Sequence, residues 1–209
     1  MIPRYQKILF VVLLVAALGM SGELWHLRQR AHQRLLAGED SAPTKAPEVA
    51  PNVQATLVVA NDADGSLLVQ QRALPLPADS GARARVVLGN LLDLYAEPNA
   101  AHPVSGGAAG IAQVFLLPAP GPRDPEDPDA ELAVVDLTGN FVASHPSGLE
   151  TETLTVLSIC ATLNANLPHV TEVRFLVDGQ PRATLAGHAD LTRTYLTNEN
   201  AVATAGGRP

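Results

Sequence analysis

Apolar side chains recur with two different periods along residues 53–195, and the periods predict the secondary structure of a folded domain. Two stretches carry apolar residues three and four positions apart, which places them on one face of an α-helix. The first follows Asp79 or Ser80, either of which can cap the helix, and runs to about Tyr95; the second begins at Leu149 and ends before Pro168. The stripes are Ala84, Val87, Leu88, Leu91 and Tyr95 in the first helix, and Leu149, Thr153, Val156, Cys160, Leu163 and Leu167 in the second.

Short runs rich in aliphatic and β-branched residues predict strands between these helices. They cover residues 54–61, 66–73, 112–117, 132–137, 173–177 and 182–185. Asp62-Ala63-Asp64-Gly65 is predicted to be the turn between the first two strands, and Asp178-Gly179 the turn between the last two. The order β-β-α-β-β-α-β-β predicts an α+β fold, with two helices on one face of an antiparallel or mixed β-sheet.

The N-terminus carries a different pattern. Arg4 and Lys7 precede an uninterrupted apolar run, residues 8–20. The run has the length of a signal-peptide hydrophobic region, about 7–15 residues, whereas a spanning helix needs about 20. Extension through Leu24 to Leu27 gives a plausible span with Trp25 at the membrane interface. An uncleaved membrane helix and a cleaved signal peptide both remain open, and either predicts export of the rest of the chain.

These observations divide the chain into five predicted segments. Residues 1–7 form a cytoplasmic leader, and 8–27 a transmembrane anchor or signal segment. Residues 28–52 form a juxtamembrane stalk and a Pro-rich linker without periodicity. The domain occupies 53–195, and 196–209 form a flexible tail. The predicted location is the cytoplasmic membrane, crossed once, with the domain on the extracytoplasmic, periplasmic side.

Composition narrows the choice of partners and of core residues. The chain has 14 Lys and Arg against 21 Asp and Glu, and six of the basic residues precede residue 46, so the domain is strongly acidic. Phosphate contacts supply most of the affinity of nucleic-acid binders, which argues against nucleic acid as a partner. Aromatic residues make up only 4% of the chain. The expected core is therefore Leu, Val and Ala, with Phe115, Phe141, Phe175 and Tyr95 as its large members.

Two acidic segments could bind a cation, but each has a simpler interpretation. Asp62-x-Asp64-Gly65 resembles the start of a calcium loop, yet Leu67 and Ala73 stand where that loop needs Gly and Glu, so a hairpin turn is favoured. The Pro-rich loop 118–131 is favoured as a solvated loop. Its acidic residues are Asp124, Glu126, Asp127, Asp129 and Glu131. We predict no metal site and no cofactor.

Candidate catalytic groups are few. The single cysteine, Cys160, excludes an internal disulfide, and its place in the apolar stripe favours a buried thiol over a nucleophile acting with His145, His169 or His188. His188 and Asp190 could form an acid/base pair, but no nucleophile motif such as GxSxG accompanies them. We therefore predict no catalytic residue, and a hydrolase that uses His188 and Asp190 remains a less favoured alternative.

Four segments together resemble the GerMN domain, the sporulation and spore germination module. They are DADGSLLVQQRALPLP, LAVVDLTGNF, TLNANLPHVTEVRFLVDGQ and TLAGHADLTR. The positions that recur in the family are Thr162, Leu163, Pro168, Val173, Asp178, Gly179, Leu185, Gly187 and His188. The resemblance covers about 53–195 and implies a ring-building-type α/β fold in an exported, membrane-tethered protein without catalytic residues. The long loop 118–131 and the missing lipid-anchored cysteine depart from the family pattern, so sporulation itself is not carried over.

A membrane segment, a Pro-rich linker and a compact domain without a catalytic site together indicate a non-enzymatic structural or protein-interaction module of the bacterial cell envelope. Its expected partners are the membrane, through the N-terminal helix, and either another envelope protein or a second copy. A cell-wall glycan-binding module is the alternative. The scarcity of aromatic residues counts against it, because sugar sites generally stack on exposed Trp or Tyr.

Overall fold

The computed structural model describes residues 51–120 and 127–197, together with the single positions Gln6 and Met20. The chain divides into two units, Met1–Glu48 and Val49–Pro209, and both described ranges belong to the second. The predictions for the leader, the membrane segment, most of the stalk and linker, and nearly all of the tail lie outside the described residues. Within the described ranges, no helix combines the length and the apolar character needed to cross a membrane.

The strands of the described region form two separate sheets. The first is an antiparallel hairpin of β1 (Asn52–Asn61) and β2 (Ser66–Pro75), in which Asn61 lies opposite Ser66, so the predicted hairpin and its turn are confirmed. The second has four strands in sequence order: β3 (Ile111–Pro118), β4 (Glu131–Leu137), β5 (Val170–Val177) and β6 (Tyr195–Leu196). It is mixed, because β4 and β5 are parallel while the other neighbours are antiparallel.

Both predicted helices are present. In α1 (Ser80–Tyr95), Asp79 caps the N-terminus by accepting a 2.7 Å hydrogen bond from the N–H of Ala82. A short helix that was not predicted, α2 (Gly139–Ser144), follows β4, and a 3-10 turn covers Gly107–Gly110. The long α3 (Leu149–Asn166) ends just before Pro168.

The helices contact both sheets, which corrects the expectation of one sheet with two helices on one face. Helix α1 contacts β1 and β3, and α3 contacts β1 and β5. Because α3 meets two sheets, it buries more than one face, and Thr155, Ser158 and Thr162 are buried beside its apolar residues. Leu149, predicted to be buried, is 68% exposed. The α+β class is confirmed, whereas the ring-building-type arrangement stays a prediction.

The predicted strand 182–185 is also wrong. Asp178 and Gly179 have φ values of 49° and 73°, as a two-residue hairpin turn requires, but the ladder stops after the single bridge between Val177 and Gln180. Pro181 follows at once, and its ring holds φ at about −65°, away from the value of about −140° in an antiparallel strand. The place beside β5 is taken instead by β6.

Candidate functional site

The larger sheet has one buried face and one face turned away from the core. Side chains along β4 alternate, with Ala133, Val135 and Leu137 buried and Leu132 and Val134 only partly covered. Because the sheet is continuous, the same alternation divides the neighbouring strands. We call the side that carries Leu132 and Val134 the outer face.

The strand register arranges the outer face in rows across the sheet. The leucine row contains Leu117, Leu132, Glu172 and Leu196, each opposite the next. The phenylalanine row contains Phe115, Val134 and Arg174. Neighbouring strands of a sheet lie about 4.7–4.9 Å apart, so each row is a continuous band of side chains.

Phe115 corrects a prediction, because it lies on this face and not in the core. Its side chain is 50% exposed, and those of Leu117 and Leu196 are 49% and 45% exposed. Single exposed apolar residues are ordinary on protein surfaces, whereas contiguous apolar patches mark interaction sites. Here Phe115 and Leu117 are joined through Val134 and Leu132, whereas Glu172 separates Leu196 from Leu132. The part of the outer face on β3 and β4 is therefore a contiguous apolar surface.

Two charges of opposite sign stand on the same face. Arg174 is exposed and Glu172 is partly buried. They lie two positions apart on β5, so both point outward from the sheet. The apolar surface is thus bordered by one carboxylate in the leucine row and one guanidinium in the phenylalanine row.

A second polar feature is the loop 186–189, which is folded around Glu152 of α3. Oε2 of this fully buried residue accepts hydrogen bonds from the N–H groups of Ala186, His188 and Ala189, each at 2.9 Å. Oε1 lies 2.9 Å from Nδ1 of His188. Gly187 adopts φ = 124°, a conformation that favours glycine, and this lets three N–H groups turn toward one carboxylate.

These bonds decide the ionisation of Glu152. Burial by itself would raise the pKa of the carboxyl. The hydrogen bonds from Ala186, from His188 and from Ala189 outweigh it and lower the pKa to about 2. Glu152 is therefore a buried carboxylate that holds a loop in place. Sequence reasoning missed it; the signal in the sequence was an acidic residue in the first turn of α3, a turn in which Glu150 is acidic as well.

The predicted pair of His188 and Asp190 is not brought together. Asp190 accepts hydrogen bonds from the N–H and the hydroxyl of Thr192, at 2.8 and 2.6 Å. His188 faces Glu152 instead, and Oγ of Ser147 lies 3.5 Å from the same Nδ1 atom. A serine–histidine–acid relay needs the hydroxyl and the carboxylate on different ring nitrogens. This arrangement therefore does not form such a relay.

A buried polar chain connects the hairpin turn to α3. Oδ1 of Asp62 lies 2.5 Å from Nδ1 of His102, whose Nε2 lies 2.7 Å from the Thr155 hydroxyl. The same hydroxyl lies 2.8 Å from Nε2 of His145, whose Nδ1 lies 2.8 Å from the carbonyl oxygen of Pro146. His102 and Thr155 are fully buried and His145 is nearly so.

The contacts of His145 assign its proton. Burial lowers the pKa of His145, so the ring is neutral, and its Nδ1 donates to the carbonyl oxygen of Pro146. Nε2 of His145 is then the acceptor that faces the Thr155 hydroxyl, which also lies 3.1 Å from the carbonyl oxygen of Thr151.

The remaining candidates have structural partners. Cys160 is fully buried, as predicted. In the hairpin turn, Asp62 faces His102, and Asp64 accepts hydrogen bonds from the N–H and the hydroxyl of Ser66, at 3.1 and 2.6 Å. In the acidic loop, Asp127 lies 3.3 Å from His169, while Asp124 and Glu126 are outside the described residues.

Residues 51–120 and 127–197 offer few groups suited to a cofactor or a sugar. No cluster of three or more His, Cys, Asp or Glu in these ranges is arranged to hold a metal ion. The two tyrosines described, Tyr95 and Tyr195, are buried and so do not offer a stacking surface for sugars.

Comparison with known proteins gives one family match and several similar structures. A family model named Germane, described as sporulation and spore germination, matches residues 61–183, more than half of the chain. No curated protein matches. The first GerMN domain of the sporulation protein GerM from Bacillus subtilis has 15% identity and a TM-score of 0.41, over 70% of this chain and 98% of that one. The tandem GerMN domains of the same protein have 14% identity and a TM-score of 0.41, over 71% of this chain and 47% of theirs.

The family match agrees with the residues that suggested it. The matched range includes the hairpin turn, both long helices, and β3 to β5. The chain therefore belongs to the Germane family, and its folded part is a GerMN-like domain.

Proposed function

We propose that this protein is a non-enzymatic docking module of the cell envelope, and that the outer face of the larger sheet is its protein-binding surface. The observation that carries the proposal is the half-exposed pair Phe115 and Leu117, which lies beside Val134 and Leu132 in one continuous patch. Fully burying such a side chain is worth roughly 1.5–3 kcal/mol. A few of them at the centre of an interface can therefore dominate a binding energy.

The chemistry of the face favours a protein over a glycan. Aliphatic side chains and one phenyl ring offer dispersion and hydrophobic contact but few groups for the hydroxyls of a sugar. Glu172 and Arg174 lie beside the apolar patch, as charges do at the rim of a protein interface. The buried tyrosines count further against the glycan alternative.

A tether to the cytoplasmic membrane belongs to the same proposal. The apolar run 8–20, with Arg4 and Lys7 before it, supports a segment that inserts in the membrane and leaves the domain on the extracytoplasmic side. The family's sporulation and spore germination theme supports a role in envelope assembly. Membrane fractionation of the full chain, with protease added to intact and to permeabilised cells, tests the location. Recovery of a protease-protected domain in the soluble cytoplasmic fraction would contradict it.

Site-specific photo-cross-linking in intact cells tests the docking surface. A photoreactive phenylalanine analogue replaces Phe115 in the full chain, and the matched control places it at Val69, which is 65% exposed on the separate hairpin. We expect cross-linked protein from position 115 and little from position 69. Leu117→Glu in the same chain should abolish the product from position 115. Equal labelling at both positions, or none at 115, would refute the proposal.

A further inference from the structure

We infer that the outer face docks onto the outer face of a second copy of this chain, about a two-fold axis that runs across the strands between the leucine row and the phenylalanine row. The inference rests on the proposed function in one respect, because it uses the same surface. It goes further in naming the occupant and the register.

About such an axis, each strand of one copy lies over the same strand of the second copy and runs in the opposite direction. The leucine row of one copy therefore lies over the phenylalanine row of the other. Phe115 then lies over Leu117 of the second copy, and Val134 lies over Leu132 of the second copy, because these residues occupy the two rows of β3 and β4. Packed sheets stand about 10 Å apart, a distance that apolar side chains of this size fill from both sides. The apolar patch is thus covered by itself.

The charges on β5 select this arrangement. The same operation places Arg174 over Glu172 of the second copy, and Glu172 over Arg174, which gives two symmetry-related ion pairs. A two-fold axis along the strands, between β4 and β5, would instead place Arg174 over Val134 and Glu172 over Leu132. Burying an unpaired charge against apolar side chains is costly. Opposite charges in exchangeable positions therefore favour a second copy in one register.

Charge reversal tests the register with a rescue. The substitution Arg174→Glu in the full chain places a glutamate at position 174 over Glu172 of the second copy. The substitution Glu172→Arg places an arginine over Arg174 of the second copy. Each single variant therefore brings like charges together and should weaken dimerisation. The double variant Glu172→Arg/Arg174→Glu restores opposite charges across the axis, with the same composition as the native chain. Sedimentation equilibrium of the full chain should show a dimer Kd raised about tenfold or more in each single variant and returned to within about threefold in the double variant.

Two further measurements keep the outcomes distinct. The melting temperature of every variant should stay close to the wild-type value, because both side chains reach solvent in the single copy, and Val69→Glu should leave the dimer Kd unchanged. A double variant as weak as the single variants, or a chain that stays monomeric at all concentrations, overturns the inference. If the chain is monomeric but Phe115 still cross-links another envelope protein, the docking function stands and self-docking is excluded. A chain that neither dimerises nor cross-links through position 115 contradicts both the self-docking inference and the proposed docking function.

Discussion

The carboxylate of Glu152 and the backbone N–H of His188 are joined by a 2.9 Å hydrogen bond that crosses 36 residues of sequence. The bond makes a helix side chain the centre of the loop 186–189. It also explains why the polar residues at the end of the domain, which suggest chemistry when read alone, serve the fold.

Glu152→Gln should destabilise the domain. An amide offers one oxygen where the carboxylate accepts from several donors, and its NH2 group would face N–H groups. Each hydrogen bond to a charged group is worth about 1.5–3 kcal/mol, so we expect a loss of about 3 kcal/mol or more in the free energy of unfolding, measured by urea denaturation. Glu150→Gln is the control, because Glu150 is exposed in the same helix. A similar small effect from both substitutions would contradict this role.

The same group predicts how stability responds to acid. The pKa of Glu152 is about 2 in the folded chain against an ordinary value of 4.5, so the folded state favours the ionised form. Its contribution is complete above about pH 4.5 and is lost as the pH falls toward 2. The difference in unfolding free energy between wild type and Glu152→Gln should therefore shrink between these pH values. A difference that stays constant down to about pH 2 would show that the charge is unimportant.

Thr155→Val should lower the free energy of unfolding, because the Thr155 hydroxyl connects His102 and His145 in the buried series of hydrogen bonds. Valine has nearly the shape of threonine, but it leaves Nε2 of both His102 and His145 without the hydroxyl. An unsatisfied buried polar group costs about 1–3 kcal/mol, and a loss in that range or above is expected in thermal and urea unfolding. Thr153→Val is the matched control. The Thr153 hydroxyl bonds only to the carbonyl of Leu149 among its described partners, at 2.6 Å, and its side chain is partly exposed.

The assignment of the His145 proton can be checked directly. Imidazole nitrogen chemical shifts at neutral pH should show His145 as the neutral tautomer protonated at Nδ1, because burial lowers its pKa and Nδ1 lies 2.8 Å from the carbonyl oxygen of Pro146. Thr155→Val should shift the Nε2 resonance of His145, because the hydroxyl that contacts this nitrogen is gone. A charged His145 ring in the wild-type protein would refute the assignment.

Aspartate substitutions on α3 separate its buried and exposed faces. Leu163 is 1% exposed and Leu149 is 68% exposed. Leu163→Asp buries an unpaired charge and should prevent folding, whereas Leu149→Asp should change the free energy of unfolding by less than about 0.5 kcal/mol. Circular dichroism and solubility measurements on the two variants show whether each one folds. Equal tolerance would mean that the helix faces are assigned wrongly.

Some elements of the fold could be predicted from the sequence and others could not. The hairpin turn at 62–65 and the two long helices were predictable, because their signals are local: turn residues between aliphatic runs, an Asp79 cap, and a proline at a helix end. The strand 182–185 was predicted from the same kind of signal and does not form. A strand exists only where a partner accepts it, and β6 takes that place.

The functional features were harder to predict, since each depends on residues far apart in the chain. Phe115 reads as a core residue until the register of β3 on β4 places it on the outer face. His188 and Asp190 suggest a pair in the sequence, but in the structure His188 contacts Glu152 and Asp190 accepts a hydrogen bond from Thr192.

By itself, the sequence determined the helices, the hairpin, the burial of Cys160, the acidic character of the domain and the membership of the Germane family. All of these depend on local periodicity, composition or motif. Only the tertiary structure decided that the strands form two sheets, that Glu152 holds the last loop, and that Phe115 and Leu117 belong to an exposed apolar face. The physical reason is that side-chain direction in a strand, and the partner of a buried charge, are set by contacts between distant segments.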